Sequence, residues 1–272
     1  MTAGRLAGIK GRELIMPLTG PDILLYEKKD RIVIMTLNRP ERGNSLSHEM
    51  FDRLYEAWER FDADNDAWVA IITGAGDKAF CTGMDIADFD MAQMYEMVKH
   101  PHKFFFKQIW KPMIAAINGY ANAAGFNLAH KCDVRIAAEH AKLGISEAAL
   151  GAPAGWVCNL TRQMLLGHAL ELVLWGDKTI TAQRGYEIGF INKVVPGGEL
   201  MNEAMSWAER ILYMGPQAIR NLKRILYEGY YIPESIFLQF AYGLEQNEIG
   251  LEDTAEGLRA FFEKRKPRFK NK

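Results

Sequence analysis

The chain has 272 residues, 49% of them hydrophobic, enough to bury a core without covalent staples. Its 33 Lys and Arg stand against 34 Asp and Glu, so it lacks the overall basic field that holds nucleic acid through counterion release. Cys81, Cys132 and Cys158 are odd in number, widely spaced and free of CxxC pairing, against a disulfide framework or a zinc site and in keeping with a reducing, cytoplasmic setting.

Residues 1–22 carry Arg5, Lys10 and Arg12 with little acid and no extended amphipathic pattern, and read as a flexible leader. Between Ile23 and Val195 short runs rich in valine and isoleucine alternate with longer helix-patterned segments, as in βαβ units around a largely parallel sheet. The strands expected are Ile23–Tyr26, Ile32–Leu37, Val69–Thr73, Met113–Tyr120, Val134–Ala137, Lys142–Ile145 and Asn192–Val195. Between the second and third, Met50, Phe51, Leu54, Trp58 and Phe61 recur at three- and four-residue spacing, which predicts a helix over Leu46–Asp62 capped by Ser45 or Ser47. After Pro196 the pattern turns helical: Leu200–Met214, Pro216–Glu228, Ser235–Asn247 and Leu251–Lys264. No apolar run approaches the roughly 18–20 residues of a membrane span. The fold class is α/β, with a core over 23–198 and a helical region over 199–272.

Three segments have the makings of a site. DKAFCTGMDI (Asp77–Ile86) follows a strand and the turn Gly74-Ala75-Gly76, where small residues let backbone approach a ligand. INGYANAAGFNLAHKCD (Ile117–Asp133) runs from an apolar strand through Ala121, Ala123, Ala124 and Gly125 into a helical pattern. Amides at such a strand-to-helix turn have no partner within the helix and suit an anion or a developing oxyanion. In AKLGISEAALGAPAGW (Ala141–Trp156), Glu147 stands among apolar and small residues, where desolvation favours its neutral form and prepares it for acid/base work. Each segment alone also fits ordinary packing. Among other features, His130 and His140 match no metal spacing and suit surface or capping roles, and Cys158 reads as inert core. Phe104, Phe105 and Phe106 beside His100 and His102, and Met84 with Met91, Met94 and Met97, the last three at three-residue spacing, fit either a helix face or the lining of an apolar tunnel. No nucleotide-binding fingerprint is present.

In order along the chain, LNRPERGNSLSHEM (Leu37–Met50), KAFCTGMDI, INGYANAAGFNLAHKCD, Gly155–Pro196 and FFEKRKPRFK (Phe261–Lys270) resemble segments of the enoyl-CoA hydratase/isomerase, or crotonase, superfamily. The resemblance implies a crotonase-like spiral of ββα turns whose C-terminal helices build homotrimers or hexamers. It implies an acyl-CoA thioester as substrate, with coenzyme A arriving on it and no separate cofactor, metal, nucleic acid or membrane partner. Carried over position by position, it puts the oxyanion hole on the backbone N–H groups of Met84 and Ala124. The catalytic pair falls on Asn127 and Glu147, and substrate contacts on Ser45, Cys81, Asp85, Ile86, Ala87, Gly125 and Trp156; the coenzyme A phosphates need cationic groups, for which Lys264, Arg265 and Lys266 near the C-terminus or Lys78 before the loop are candidates. Ala124 can take a glycine position provided its φ stays negative.

This sequence departs from the family's hydratases, which use two glutamates, by having asparagine at 127. An amide cannot exchange a proton near neutral pH, so one acid/base group remains, and a single carboxylate suffices to move a proton from the α- to the γ-carbon of an enoyl-CoA. Isomerisation is the first expectation. Trp156 would narrow the acyl pocket and exclude water, in the same direction. Hydration, or hydrolase or lyase chemistry on a functionalised or cyclic acyl-CoA, is the alternative, and a non-catalytic protein binding a CoA ester or RNA is a third.

Overall fold

A computed structural model describes residues 22–88 and 108–272, together with Tyr95 and Lys99. Residues 1–21 of the expected leader, Met91, Met94 and Met97, His100 and His102, and Phe104, Phe105 and Phe106 lie outside the described residues. The strands are β1 (Leu24–Lys29), β2 (Ile32–Leu37), β3 (Val69–Gly74), β4 (Ala79–Cys81), β5 (Met113–Ile117), β6 (Tyr120–Asn122), β7 (Val134–Ala138), β8 (Lys142–Gly144), β9 (Ile180–Thr181) and β10 (Lys193–Val195). The helices are α1 (His48–Ala63), α2 (Ala124–His130), α3 (Leu166–Leu174), α4 (Ala182–Glu187), α5 (Leu200–Ile211), α6 (Pro216–Gly229), α7 (Glu234–Gln246) and α8 (Glu252–Phe262).

The strands form two sheets. The larger has the order β1-β2-β3-β5-β7-β10, parallel except for the β1–β2 hairpin. Its inner strands are buried on both faces, which is why they read as unbroken apolar runs. Ala70, Ile72, Ala115 and Ile117 face the main core with α1 and α2, while the alternate residues Val69, Ile71, Ile114 and Ala116 face Leu200, Ala204 and Ala208 of α5. Helix α1 buries the predicted stripe Met50, Phe51, Leu54, Trp58 and Phe61, and Ser47 caps it by accepting from the Met50 amide at 3.2 Å.

The smaller sheet, β4-β6-β8-β9, corrects the expectation of a single one. The apolar run Met113–Tyr120 is two strands in different sheets, split at Asn118-Gly119. Asn118 accepts from the Gly74 amide at 3.0 Å and donates to the carbonyls of Gly76 (2.8 Å) and Ala79 (3.2 Å). A Cβ on Gly119 would lie 2.3 Å from the Lys78 carbonyl oxygen, so only glycine lets the chain cross there. At the far side, α6 is tied to the larger sheet through Lys223, whose ammonium donates to the carbonyls of Ile109 (2.7 Å) and Lys111 (3.0 Å) and pairs with Asp133 at 2.8 Å. None of the helices in the described residues is long and apolar enough to cross a membrane.

Candidate active site

The loop Thr82–Asp85 leaves β4 and is held by the segment that enters α1. Leu46 N–H donates to the Gly83 carbonyl at 2.8 Å and Asp85 N–H to the Leu46 carbonyl at 3.0 Å, a single parallel bridge between Leu46 and Met84. Arg39 closes the arrangement from beneath, pairing with Asp85 at 2.8 Å and donating to the Ser45 carbonyl at 2.9 Å. Asn44 is fully buried with φ 55°; its amide donates to the carbonyls of Ala75 (3.0 Å) and Ala79 (2.7 Å) and accepts from the Arg39 amide (3.0 Å). Gly83 has φ 110°, open to glycine alone, and this turn leaves the Met84 amide without an acceptor among the described residues.

The second loop joins β6 to α2. Because β6 pairs with β8, the Ala123 amide reaches the Gly144 carbonyl at 3.0 Å, and Asn122 donates to the Ser146 hydroxyl at 2.8 Å. Ala124 opens the helix, so its N–H has no partner one turn back. Its φ is not positive; the unusual conformation falls one residue earlier, on Ala123 at φ 50° and ψ −121°. Gly125 packs on Cys81: a Cβ there would meet the Cys81 carbonyl oxygen at 2.0 Å. The two loops touch, since a Cβ on Gly83 would come within 3.2 Å of the Ala123 Cβ and 3.7 Å of the Ala124 nitrogen. Both free amides therefore stand at one junction.

Glu147 lies three residues beyond β8, at the head of the single turn Ala148–Leu150, where its carbonyl accepts from the amides of Leu150 (3.0 Å) and Ala152 (2.9 Å). Its Oε1 accepts from the Trp156 indole N–H at 3.1 Å, and its Oε2 is buried without a hydrogen-bond partner among the described residues. Burial raises its pKa above the usual carboxylate value, opposed by its own backbone amide and by the indole. Asn127, one turn into α2, is 1% exposed, and its Oδ1 is also buried without a partner among the described residues.

Not every residue proposed from the sequence faces this junction. The Cys81 side chain is fully buried, its thiol 3.9 Å from the Gly83 carbonyl with a pKa pushed up by burial to about 12, which leaves only its backbone for a ligand. The carboxylate of Asp85 is engaged with Arg39 and serves the loop. Ile86 and Ala87 are exposed on the short turn that follows. Lys264 is exposed after α8, with no hydrogen bond to either loop, and Arg265 is already paired with Glu256 at 2.6 Å. His140 bridges the carbonyls of Asp77 and Asn118, each at 3.1 Å. His130, expected at the surface, is instead buried against the Trp156 ring at 6.2 Å, and burial, reinforced by Arg135, lowers its pKa to about 3. Cys158 is exposed rather than core. The sequence reading passed over Arg39, Asn44 and the indole N–H of Trp156; only the Gly43-Asn44 pair, both with positive φ, carried a local signal.

The family model for enoyl-CoA hydratase/isomerase matches residues 27–272. Enoyl-CoA hydratase EchA19 of Mycobacterium tuberculosis is 36% identical over 269 residues, covering 93% of this chain and 98% of its own. The (E)-benzylidenesuccinyl-CoA hydratase of Thauera aromatica is 36% identical, covering 94% and 99%. The crystal structure of an enoyl-CoA hydratase from Bacillus anthracis superposes with a TM-score of 0.87 at 34% identity, over 92% of this chain and all of that one.

Proposed function

Because the chain belongs to the enoyl-CoA hydratase/isomerase family, we propose that it moves a double bond in an enoyl-CoA thioester by a 1,3-proton transfer through Glu147. The observation that carries this reading is that Glu147 has a buried, unpartnered carboxylate oxygen while its counterpart Asn127 is an amide with no proton to exchange. The thioester oxygen sits on the amides of Met84 and Ala124. When Glu147 removes the α-proton, charge moves to that oxygen, where each preorganised donor is worth about 3 kcal/mol. Glu147 then returns the proton to the γ-carbon. Coenzyme A comes with the substrate, and the chemistry asks for no other cofactor.

A second reading is hydration, favoured by the names of the relatives, most of which are hydratases. In it the Asn127 Oδ1 accepts from the water that Glu147 activates. The two readings separate in deuterated water with paired 3-enoyl-CoA and 2-enoyl-CoA substrates, followed by mass spectrometry beside Glu147→Gln. Double-bond migration without a gain of water, abolished in the variant, is expected; water addition would replace isomerisation by hydration, and turnover unaffected in the variant would overturn both.

The helices after residue 199 support assembly into a homotrimer or hexamer. Leu226 and Phe262, 73% and 79% exposed, head a series of uncovered apolar side chains on α6, α7 and α8 that includes Leu222, Ile236, Tyr242 and Phe261.

A further inference from the structure

Trp156 is nine residues from Glu147, and the irregular segment between them turns its indole back onto the carboxylate. The N–H reaches Oε1 at 3.1 Å, while the ring packs against Phe126 (6.0 Å between centroids) and His130 (6.2 Å) of α2. An indole has one donor and no acceptor, so it favours the carboxylate over the carboxylic acid and fixes which oxygen is occupied. The other oxygen, Oε2, is left buried and without a partner among the described residues.

We propose that Trp156 is a positioning residue for Glu147: its N–H pins Oε1, so that Oε2 is the atom that takes and returns the substrate proton. The inference rests on the proton-transfer reading above. In the forward step the α-carbon–hydrogen bond breaks, the proton goes to Oε2 and the electron pair passes into the enolate held by the Met84 and Ala124 amides. In the return step Oε2–H protonates the γ-carbon and the enolate electrons close the new double bond. The pin keeps the carboxylate from rotating a protonated oxygen away from the substrate between the two steps. It also offsets part of the desolvation that would otherwise hold Glu147 neutral and unable to start.

The test needs a readout that packing alone would not move. In protein labelled with 15N-tryptophan, six indole resonances are expected, one for each tryptophan. That of Trp156, identified by its loss in Trp156→Phe, should shift through one transition as Glu147 titrates, and the transition should vanish in Glu147→Gln. His130, the other titratable ring on this indole, is kept neutral by burial down to about pH 3 and does not interfere above it. Trp156→Phe keeps an aromatic ring and removes the donor. Its rate of proton transfer on a 3-enoyl-CoA should fall roughly tenfold at neutral pH, the effect of one lost hydrogen bond to a charged group. The acid limb of its kcat/KM profile should move to higher pH, with KM less affected. An indole resonance that ignores Glu147, or an acid limb unchanged in Trp156→Phe, overturns the assignment. A titrating resonance in a protein whose turnover survives Glu147→Gln would instead overturn the proton-transfer reading and leave the pin in place. Should Trp156→Phe fail to fold, the Trp156 resonance is the one that titrates in the parent and not in Glu147→Gln, and the absence of any such resonance overturns the assignment.

Discussion

At φ 50° and ψ −121°, Ala123 holds its Cβ in a region that glycine enters freely and other residues enter at a cost of order 1–3 kcal/mol. It stays there because its amide is tied to Gly144 and the next residue must start α2 with its own amide free. Ala123→Gly should relieve the strain, against a loss of about 0.5–1 kcal/mol from the freer unfolded chain. A net gain of about 1 kcal/mol, or about 3 °C in Tm by calorimetry, is expected. Two residues on, the direction reverses: Gly125→Ala would drive a methyl into the Cys81 carbonyl, and thermal melting should show a loss of about 3 kcal/mol or more together with lost turnover. Glu147 makes stability depend on pH. Burial raises its folded pKa, so the folded chain holds this proton more tightly than the unfolded one. The associated stability is therefore full below the ordinary carboxylate range and lost as pH rises through the folded value. Denaturation of Glu147→Gln across pH should accordingly match the parent in acid and exceed it near neutrality; equal stability at both ends would show that the carboxylate is not desolvated.

Among the elements, the clearest in the sequence were the longest and most apolar. The inner strands of the larger sheet announced themselves because both faces are buried, and α1 because its stripe is regular. The three-residue strands β4, β6 and β8 give periodicity too little to work on, and the break at Asn118-Gly119 depends on contacts with a turn some forty positions earlier. The site divides in the same way. Its backbone donors and Glu147 sit within recognisable segments, whereas Arg39 against Asp85 and Trp156 against Glu147 are contacts between irregular stretches that spacing does not reveal. Attachment of the C-terminal helices is another such contact. Asp133 accepts from the Met113 amide at 2.7 Å and the Tyr227 hydroxyl at 3.2 Å, besides pairing with Lys223, and so joins β5 to α6. Lys223→Met should leave that carboxylate and two carbonyls short of a donor at a cost of about 3 kcal/mol. Urea denaturation should register the loss, and limited proteolysis should cut first within α6 and α7; an unchanged midpoint would mean the helices are held by packing alone.

At the scale of the whole molecule, Leu226 of α6 and Phe261 and Phe262 of α8 are exposed among the described residues, and the assembly proposed above would cover side chains of this kind. Light scattering after size exclusion should give a multiple of 30.8 kDa that corresponds to a trimer or hexamer. Leu226→Glu combined with Phe262→Glu should shift the population to the single chain and lower turnover; a parent protein that elutes as a monomer would remove the basis for the assembly. The larger sheet bears on time as well as shape. Among its described strands only β1 with β2 closes a short hairpin, whereas Ile72 pairs with Ala115, Ala116 with Ile136 and Ala137 with Val194. Contacts so distant along the chain reward the polypeptide only after long loops have closed, which makes them late events in folding. Helical signal from the C-terminal half should therefore return early on dilution from denaturant, while the junction of Met84 and Ala124 waits for the parallel strands to dock. A newly synthesised chain is therefore expected to offer its pair of amides to an anion only once the parallel strands have docked, so that activity should return no sooner than the sheet.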